Sequence, residues 1–81
     1  MNNIEIQLVE ITKKYVKKDK EVSLQSYIKD DLKLDSLSLT EIIVACEDHF
    51  QIEIDLDSVD PKSLIKLFDL YFLISQQVNV A

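Results

Sequence analysis

Ser36, Cys46 and His49 are the first candidates in this sequence for nucleophilic or base chemistry. A serine nucleophile needs a base within hydrogen-bond reach, and His49 is the only histidine. If both residues lie on one predicted helix, the thirteen positions between them span about 20 Å, which is too far for a hydrogen bond. The chain has no glycine, so the G-x-S-x-G elbow of many serine hydrolases is absent as well. The sequence therefore argues against a self-activated serine and predicts no catalytic residue.

Metal chemistry has little support in the sequence. One cysteine and one histidine cannot make a zinc constellation. The run DLDSVD resembles a calcium loop that starts at Asp55, but Asp60 replaces the glycine at position six and Lys66 replaces the glutamate at position twelve. Cys46 lies on the apolar stripe of a predicted helix, where a free cysteine is usually a small hydrophobe. We therefore predict no metal ion and no reactive thiol.

Length and composition predict one small folded domain over residues 1–81. The chain has 81 residues, of which 47% are apolar and 30% charged, so it can build a modest core. The absence of glycine excludes phosphate-cradling glycine loops and the dinucleotide fingerprint. The net charge of −6, with nine lysines and no arginine, argues against a nucleic-acid partner.

The negative charge is concentrated in the middle of the chain. Residues 30–60 carry ten acids and one lysine, a net charge of −9, whereas residues 1–29 are net +2 and residues 61–81 net +1. A solvated acidic surface that aids solubility would explain this pattern. An electrostatic docking face for basic partners would explain it equally well.

The cellular location is predicted to be the cytoplasm. A single cysteine cannot form an intrachain disulfide, which is typical of a reducing compartment. The opening MNNIEIQ does not resemble a secretory signal, and no apolar run reaches the roughly 18 residues that a membrane span needs.

The spacing of apolar residues predicts an all-α fold, a small four-helix bundle with three longer helices and one short helix. The predicted elements are a helix over residues 3–17, a long loop over 18–35 with one helical turn near 24–30, a helix over 36–50, an extended connector over 51–57, a short helix near 58–62 and a last helix over 62–77. A loop as long as 18–35 in so small a domain is often functional.

Each predicted helix has an apolar face. The first helix presents Ile4, Leu8, Ile11 and Tyr15 at helical spacing, and the second presents Leu39, Ile42, Ile43, Cys46 and Phe50. The last helix is apolar nearly all round, which favours a central, heavily packed helix. A second face for self-association or for a partner is the alternative.

Ser36 is predicted to lie at the first turn of the second helix. Asp35 is a good N-cap there, and Ser38 with Glu41 forms a second candidate capping box. Backbone N–H groups and the helix dipole at such an end favour an attached anion. A serine without a base could therefore receive a phosphate from an external enzyme, although a plain capping serine is the simpler interpretation.

The stretch Asp35-Ser36-Leu37, with DDL upstream and LTEIIVACEDHF downstream, resembles the acyl carrier proteins. The resemblance extends from Ile4 to about Val78. It implies three longer helices and a short one, with a long loop before the Asp-Ser-Leu turn. It also implies that Ser36, with Asp35 as its neighbour, carries 4′-phosphopantetheine from coenzyme A through a phosphodiester, and that the protein is a carrier and not an enzyme.

The resemblance also implies partners. Leu37, Glu41, Glu47 and Asp48 match helix positions that partner enzymes of this family usually contact. Those partners would be a phosphopantetheinyl transferase acting with Mg²⁺, an acyl-loading ligase or acyltransferase, and synthase enzymes with basic docking patches. The carrier itself is expected to be a monomer.

Two positions depart from the family pattern. Members commonly have glycine where this chain has Lys33, and fatty-acid carriers often have an acid where it has Ser38. These departures suggest a specialised carrier, with peptidyl, aminoacyl and D-alanyl carriers or an adaptor without a prosthetic group as alternatives. Candidates for lining an apolar refuge, or for the core, are Leu39, Ile42, Ile43, Cys46, Ile54 and Phe68.

Overall fold

The helices of the chain form where its apolar residues recur at helical spacing. A computed structural model describes residues 3–55 and 60–80. In these ranges it contains three α-helices, α1 (Asn3–Lys13), α2 (Ser36–Phe50) and α3 (Leu67–Val80), and no strand. The prediction of an all-α fold is therefore confirmed.

The predicted count of four helices is not confirmed. Residues 58 and 59 of the predicted short helix lie outside the described ranges, and the described remainder forms a single 3₁₀ turn, Pro61–Ser63. Asp60 holds this turn, since its carbonyl accepts from the Ser63 N–H at 2.8 Å and its carboxylate accepts from the Lys62 N–H at 2.9 Å.

Helix α1 is shorter than the predicted 3–17. Its buried face contains Leu8 and Ile11 as predicted, whereas Tyr15 lies beyond its end and is exposed. The Lys14 N–H bonds to the Ile11 carbonyl, and the Tyr15 N–H bonds to the Thr12 carbonyl. These i→i−3 bonds tighten the last turn and end the helix.

Helix α2 has the predicted bounds. It begins after Asp35, whose backbone is extended, and it ends at Gln51, which adopts the left-handed conformation with φ 57°. The Gln51 N–H bonds to the Glu47 carbonyl and closes the last turn. Near the end of α2, the His49 ring contacts the Gln7 side chain of α1.

The core is a single apolar cluster between the helices and the long loop. Its fully buried side chains come from all three helices, and the largest of them are Leu8, Ile42, Ile43, Leu67, Leu70, Ile74, Thr12 and Cys46. The connector contributes Ile54, as predicted. At these positions the interior is filled by side chains of the protein.

The long loop is paired with the segment that precedes α3. Tyr27 and Lys66 form an isolated antiparallel bridge, and the Ile28 N–H donates to the Ile65 carbonyl at 2.9 Å. Ile28 and Leu32 are buried, so the loop is anchored by side chains as well as by backbone. The predicted helical turn near 24–30 is a series of turns instead.

The first free N–H groups of α3 are satisfied by the same loop. The Leu67 N–H donates to the Ser26 carbonyl at 3.0 Å, and the Phe68 N–H donates to the Leu24 carbonyl at 2.9 Å. A helix has four such donors at its start, and leaving them buried and unpaired would be costly. The loop therefore fixes where α3 begins.

The predicted start of the last helix at residue 62 is wrong, since α3 begins at Leu67. The Asp69 carboxylate accepts from the N–H groups of Ile65 and Lys66 at 2.9 and 3.0 Å, which is the acidic half of a capping box. The mostly apolar run that starts at Leu64 continues across this boundary, with Lys66 before it and Asp69 after it, so its pattern does not reveal where the helix starts.

Helix α3 is buried along one stripe only. Leu67, Leu70 and Ile74 are fully buried, but Phe68 and Phe72 are exposed. The prediction of Phe68 as a core or lining residue is therefore wrong. The favoured prediction of a packed central helix therefore holds only for the face that carries the three buried residues. Phe68 and Phe72 come one or two residues after buried positions, so they point to another side of the helix.

Among residues 3–55 and 60–80, no helix is long and apolar enough to cross a membrane.

Lys33, at a position where the family commonly has glycine, has φ 55° and so adopts the left-handed conformation. Glycine adopts this conformation without steric cost, whereas other L-residues pay about 1 kcal/mol or more. Lys33 thus keeps the left-handed backbone conformation that suits glycine, although lysine adopts it at a higher cost.

We expect Lys33→Val to lower the free energy of unfolding by about 1 kcal/mol or more, because a β-branched residue strongly resists a positive φ. Lys33→Gly should stay within about 1 kcal/mol of the parent, since relief of strain offsets the greater freedom of the unfolded chain. Urea unfolding measures both, and the same pair at Lys18, whose φ is not positive, is the control. Equal effects of valine at the two positions would contradict the strain argument.

Candidate functional site

Ser36 is the first residue of α2 and its side chain is exposed. Its carbonyl accepts from the Thr40 hydroxyl at 2.8 Å, and no residue of the described ranges hydrogen-bonds its own hydroxyl. His49 lies at the opposite end of α2, as predicted. The Ser36 hydroxyl is therefore open to solvent at the positive end of a helix, without a base beside it.

Asp35 fixes the helix start beside that serine. Its carboxylate accepts from the Ser38 N–H at 2.8 Å, which confirms Asp35 as the N-cap. The hydrogen bonds from the Ser38 backbone and side chain lower the pKa of the Asp35 carboxyl below its usual 3.8. The carboxylate is thus ionised at neutral pH and engaged with the helix end. It is not placed to act as a base for Ser36.

Beside Ser36 lies an open groove of about 570 Å³. It runs between the start of α2, the long loop and the residues before α3. Its apolar lining consists of Tyr27, Ile28, Leu34, Leu39, Leu64 and Ile65. Lys29 and Lys62 also line it, together with Asp30 and Asp35.

The predicted refuge residues fall into two groups. Leu39 lines the groove, whereas Ile42, Ile43 and Cys46 are fully buried core residues that do not border it. Sequence periodicity places all four on one helix face and does not separate them. The groove lies at the first turn of that face, where the packed core gives way to the loop.

The site fits the predicted prosthetic group. An exposed serine at a helix N-terminus suits a phosphodiester, because N–H groups and the helix dipole favour an anion there. The adjoining groove is apolar with a few polar groups at its edges and has the volume of a typical small-molecule site. The chain therefore offers both an attachment atom and a surface on which an attached chain can lie.

The outer face of α2 consists of Leu37, Glu41, Val44 and Asp48, which are all exposed and lie at helical spacing. Leu37 is 68% exposed. In the described ranges the one salt bridge joins Lys13 and Glu10, so neither acid of this face pairs with a lysine. Val44 was not among the predicted residues of this face, although its position seven residues after Leu37 indicates the same side of the helix.

Glu47, the fourth predicted partner contact, has a structural contact in this chain. It is partly buried, and its carboxylate accepts from the Ile54 N–H at 2.7 Å. This bond ties the connector to α2 and helps to place Ile54 in the core. Its contact with a partner stays a prediction.

Cys46 is fully buried, and burial, with a smaller effect of the Glu47 charge, raises the pKa of its thiol to about 12. The thiolate is the reactive form of cysteine, so this thiol is inert at neutral pH. Across residues 3–55 and 60–80, no three histidine, cysteine or acidic side chains gather as a metal site.

Asp35→Ala should destabilise the chain at neutral pH, because the Ser38 N–H loses its acceptor. The folded-state pKa of Asp35 is lowered, so its contribution is present above 3.8 and is lost as the pH falls through the folded value. Urea unfolding of parent and variant should therefore show a gap that narrows below pH 3.8. A gap that persists in strong acid would show that the charged form is not what stabilises the helix.

Cys46 should resist a thiol reagent in the native chain at mildly alkaline pH and react fully in denaturant. After attachment of phosphopantetheine, the native protein should show one reactive thiol, and Cys46→Ala should leave that number unchanged. Absorbance titration with a disulfide reagent measures both. Rapid reaction of the unmodified native chain would contradict the burial of Cys46.

Comparison with known protein families gives an independent finding. A family model described as phosphopantetheine attachment site matches residues 7–67, which is more than half of the chain. The matched range includes residues 7–13 of α1, the long loop, all of α2 and the groove residues that precede α3. It implies a covalently bound 4′-phosphopantetheine prosthetic group. By this match, this chain belongs to the phosphopantetheine-carrying acyl carrier protein family.

Proposed function

We propose that this chain is an acyl carrier protein that holds acyl intermediates as thioesters on a phosphopantetheine arm at Ser36. Its pathway would be the synthesis of fatty acids, polyketides or other secondary metabolites. The observation that carries the proposal is the exposed Ser36 hydroxyl at the start of α2, beside an apolar groove, within a family that bears this group. Carrier domains of the family are generally non-catalytic.

Attachment needs chemistry that this site does not supply. The Ser36 oxygen would bond to the phosphorus that bears pantetheine in coenzyme A, and the pyrophosphate P–O bond would break. Adenosine 3′,5′-bisphosphate would leave, and the serine proton would pass to a base of the transferase. No described base contacts Ser36, so the transferase must supply both that base and the Mg²⁺ that balances the phosphate charge.

The described residues have three roles in this proposal. Asp35 orients the first turn, so that Ser36 points away from the core. The open end of α2 stabilises the phosphodiester charge. The groove shelters apolar parts of the arm and its cargo through Ile28, Leu39 and Leu64. When bound, the group supplies a terminal thiol that carries the acyl chain as a thioester.

Partner enzymes would approach an acidic surface. Glu41 and Asp48 are exposed and pair with no described lysine, within a segment of net charge −9. Such charge speeds encounters with basic surfaces and allows quick release, as a shuttle requires. The proposed partners are a phosphopantetheinyl transferase, an acyl-loading ligase or acyltransferase, and synthase enzymes with basic patches.

Incubation with coenzyme A, Mg²⁺ and a promiscuous phosphopantetheinyl transferase should add one phosphopantetheine to the parent and none to Ser36→Ala. Ser75→Ala is the matched control, because it removes a hydroxyl on α3, outside the groove and the Asp35 cap, and should be modified like the parent. Intact-mass spectrometry measures all three. No gain in a chain shown to be folded would overturn the proposal and favour an adaptor without a prosthetic group.

A further inference from the structure

Three large apolar side chains remain exposed at the start of α3. Ile65 is 55% exposed, Phe68 43% and Phe72 51%. We infer that these residues, here termed the apolar bank, form a docking surface for the enzyme that reacts with Ser36. That enzyme would place an apolar pocket on this bank and a basic surface against α2. The inference rests on the proposed function and extends it to a second contact surface.

Folding does not explain why the apolar bank is exposed. Phe68 and Phe72 are four residues apart and so lie on one side of α3, away from the buried stripe of Leu67, Leu70 and Ile74. Phe68 contacts the ring of Tyr71 at a centroid distance of 5.7 Å, but its outer face is open. Exposed apolar side chains that cluster in this way are typical of interaction sites.

A second copy of the chain is a poor occupant. Fully buried aromatic side chains cover roughly 150–250 Å² each, so three half-exposed residues offer on the order of 300 Å² per copy. Two such patches face to face would bury about 600 Å², at most half of what a specific stable interface buries. The apolar bank alone is therefore too small to hold a dimer.

The apolar bank is continuous with the groove at Ser36. Ile65 belongs to the bank and also lines the groove that Ser36 borders. Tyr27 lies on the same edge, with the Lys66 ammonium 5.1 Å from its ring centroid. An enzyme that covers Ser36 must cover the mouth of this groove, so it meets Ile65 and lies beside the rest of the bank.

Charge separates the two sides of the groove. The outer face of α2 carries the unpaired acids Glu41 and Asp48. Close to the apolar bank are Lys66 and Asp69, and the Asp69 carboxylate is occupied by two backbone N–H groups. The groove that Ile65 borders adds Lys29, Asp30 and Lys62, so this side is not acidic overall. A partner that spans both sides would place its cations against the α2 acids and its apolar side chains against the bank.

The test uses the unmodified chain and a phosphopantetheinyl transferase. Phe68→Gln combined with Phe72→Gln should raise the KM for the carrier tenfold or more, leave kcat within about twofold, and weaken direct binding to the transferase in parallel. The matched control is Ile6→Gln, because Ile6 is an exposed apolar residue of α1 outside the bank and the groove. Intact-mass kinetics and calorimetry measure the two quantities. If the double variant loses cooperative unfolding, Ile65→Gln replaces it, because Ile65 precedes α3 and its substitution does not change a helix residue.

Unchanged KM and binding in the folded double variant, with the parent modified normally, would overturn the inference and leave the proposed function intact. A parent that the transferase never modifies would overturn the proposed function itself. The inference would also be overturned if the parent sedimented as a dimer and the double variant as a monomer, because a second copy would then cover the bank.

Discussion

The structure depends on the pairing of the long loop with the start of α3. The carbonyls of Leu24 and Ser26 accept the first N–H groups of that helix, and the backbone of Ile28 pairs with that of Ile65. These bonds satisfy donors that a buried helix start would otherwise leave unpaired. They also place an irregular segment of the chain beside Ser36, so the groove exists because the loop caps a helix distant in sequence.

The serine at this groove is well placed and chemically passive. The Asp35 carboxylate accepts a hydrogen bond from the helix end, the thiol of Cys46 is buried, and His49 lies at the far end of α2. In the proposed function this arrangement would protect the cargo, because a base or nucleophile beside a thioester would promote its cleavage. In the proposed function, the acids exposed on α2 would give partner enzymes a surface to recognise, and the inferred docking surface on α3 would extend it.

The sequence-based predictions agree best with the structure for α2. The bounds of α2, its N-cap and its buried stripe follow from local pattern, because each depends on residues within a few positions of one another. The ends of α1 and α3 do not. The run from Leu64 to Ile74 is mostly apolar across an extended segment and a helix alike. The helix start is therefore decided by the long loop that bonds to it and by the Asp69 carboxylate.

The sequence by itself determined the all-α class, the serine at a capped helix start, the lack of a base for it and the acidic middle of the chain. Each of these depends on residue type and short-range spacing. Tertiary structure decided that Leu39 lines a groove while Ile43 fills the core, that Glu47 holds the connector, and that Phe68 faces solvent. Those outcomes depend on which segments pack together. Helical periodicity gives the direction of a side chain around its helix, but not what lies on that side.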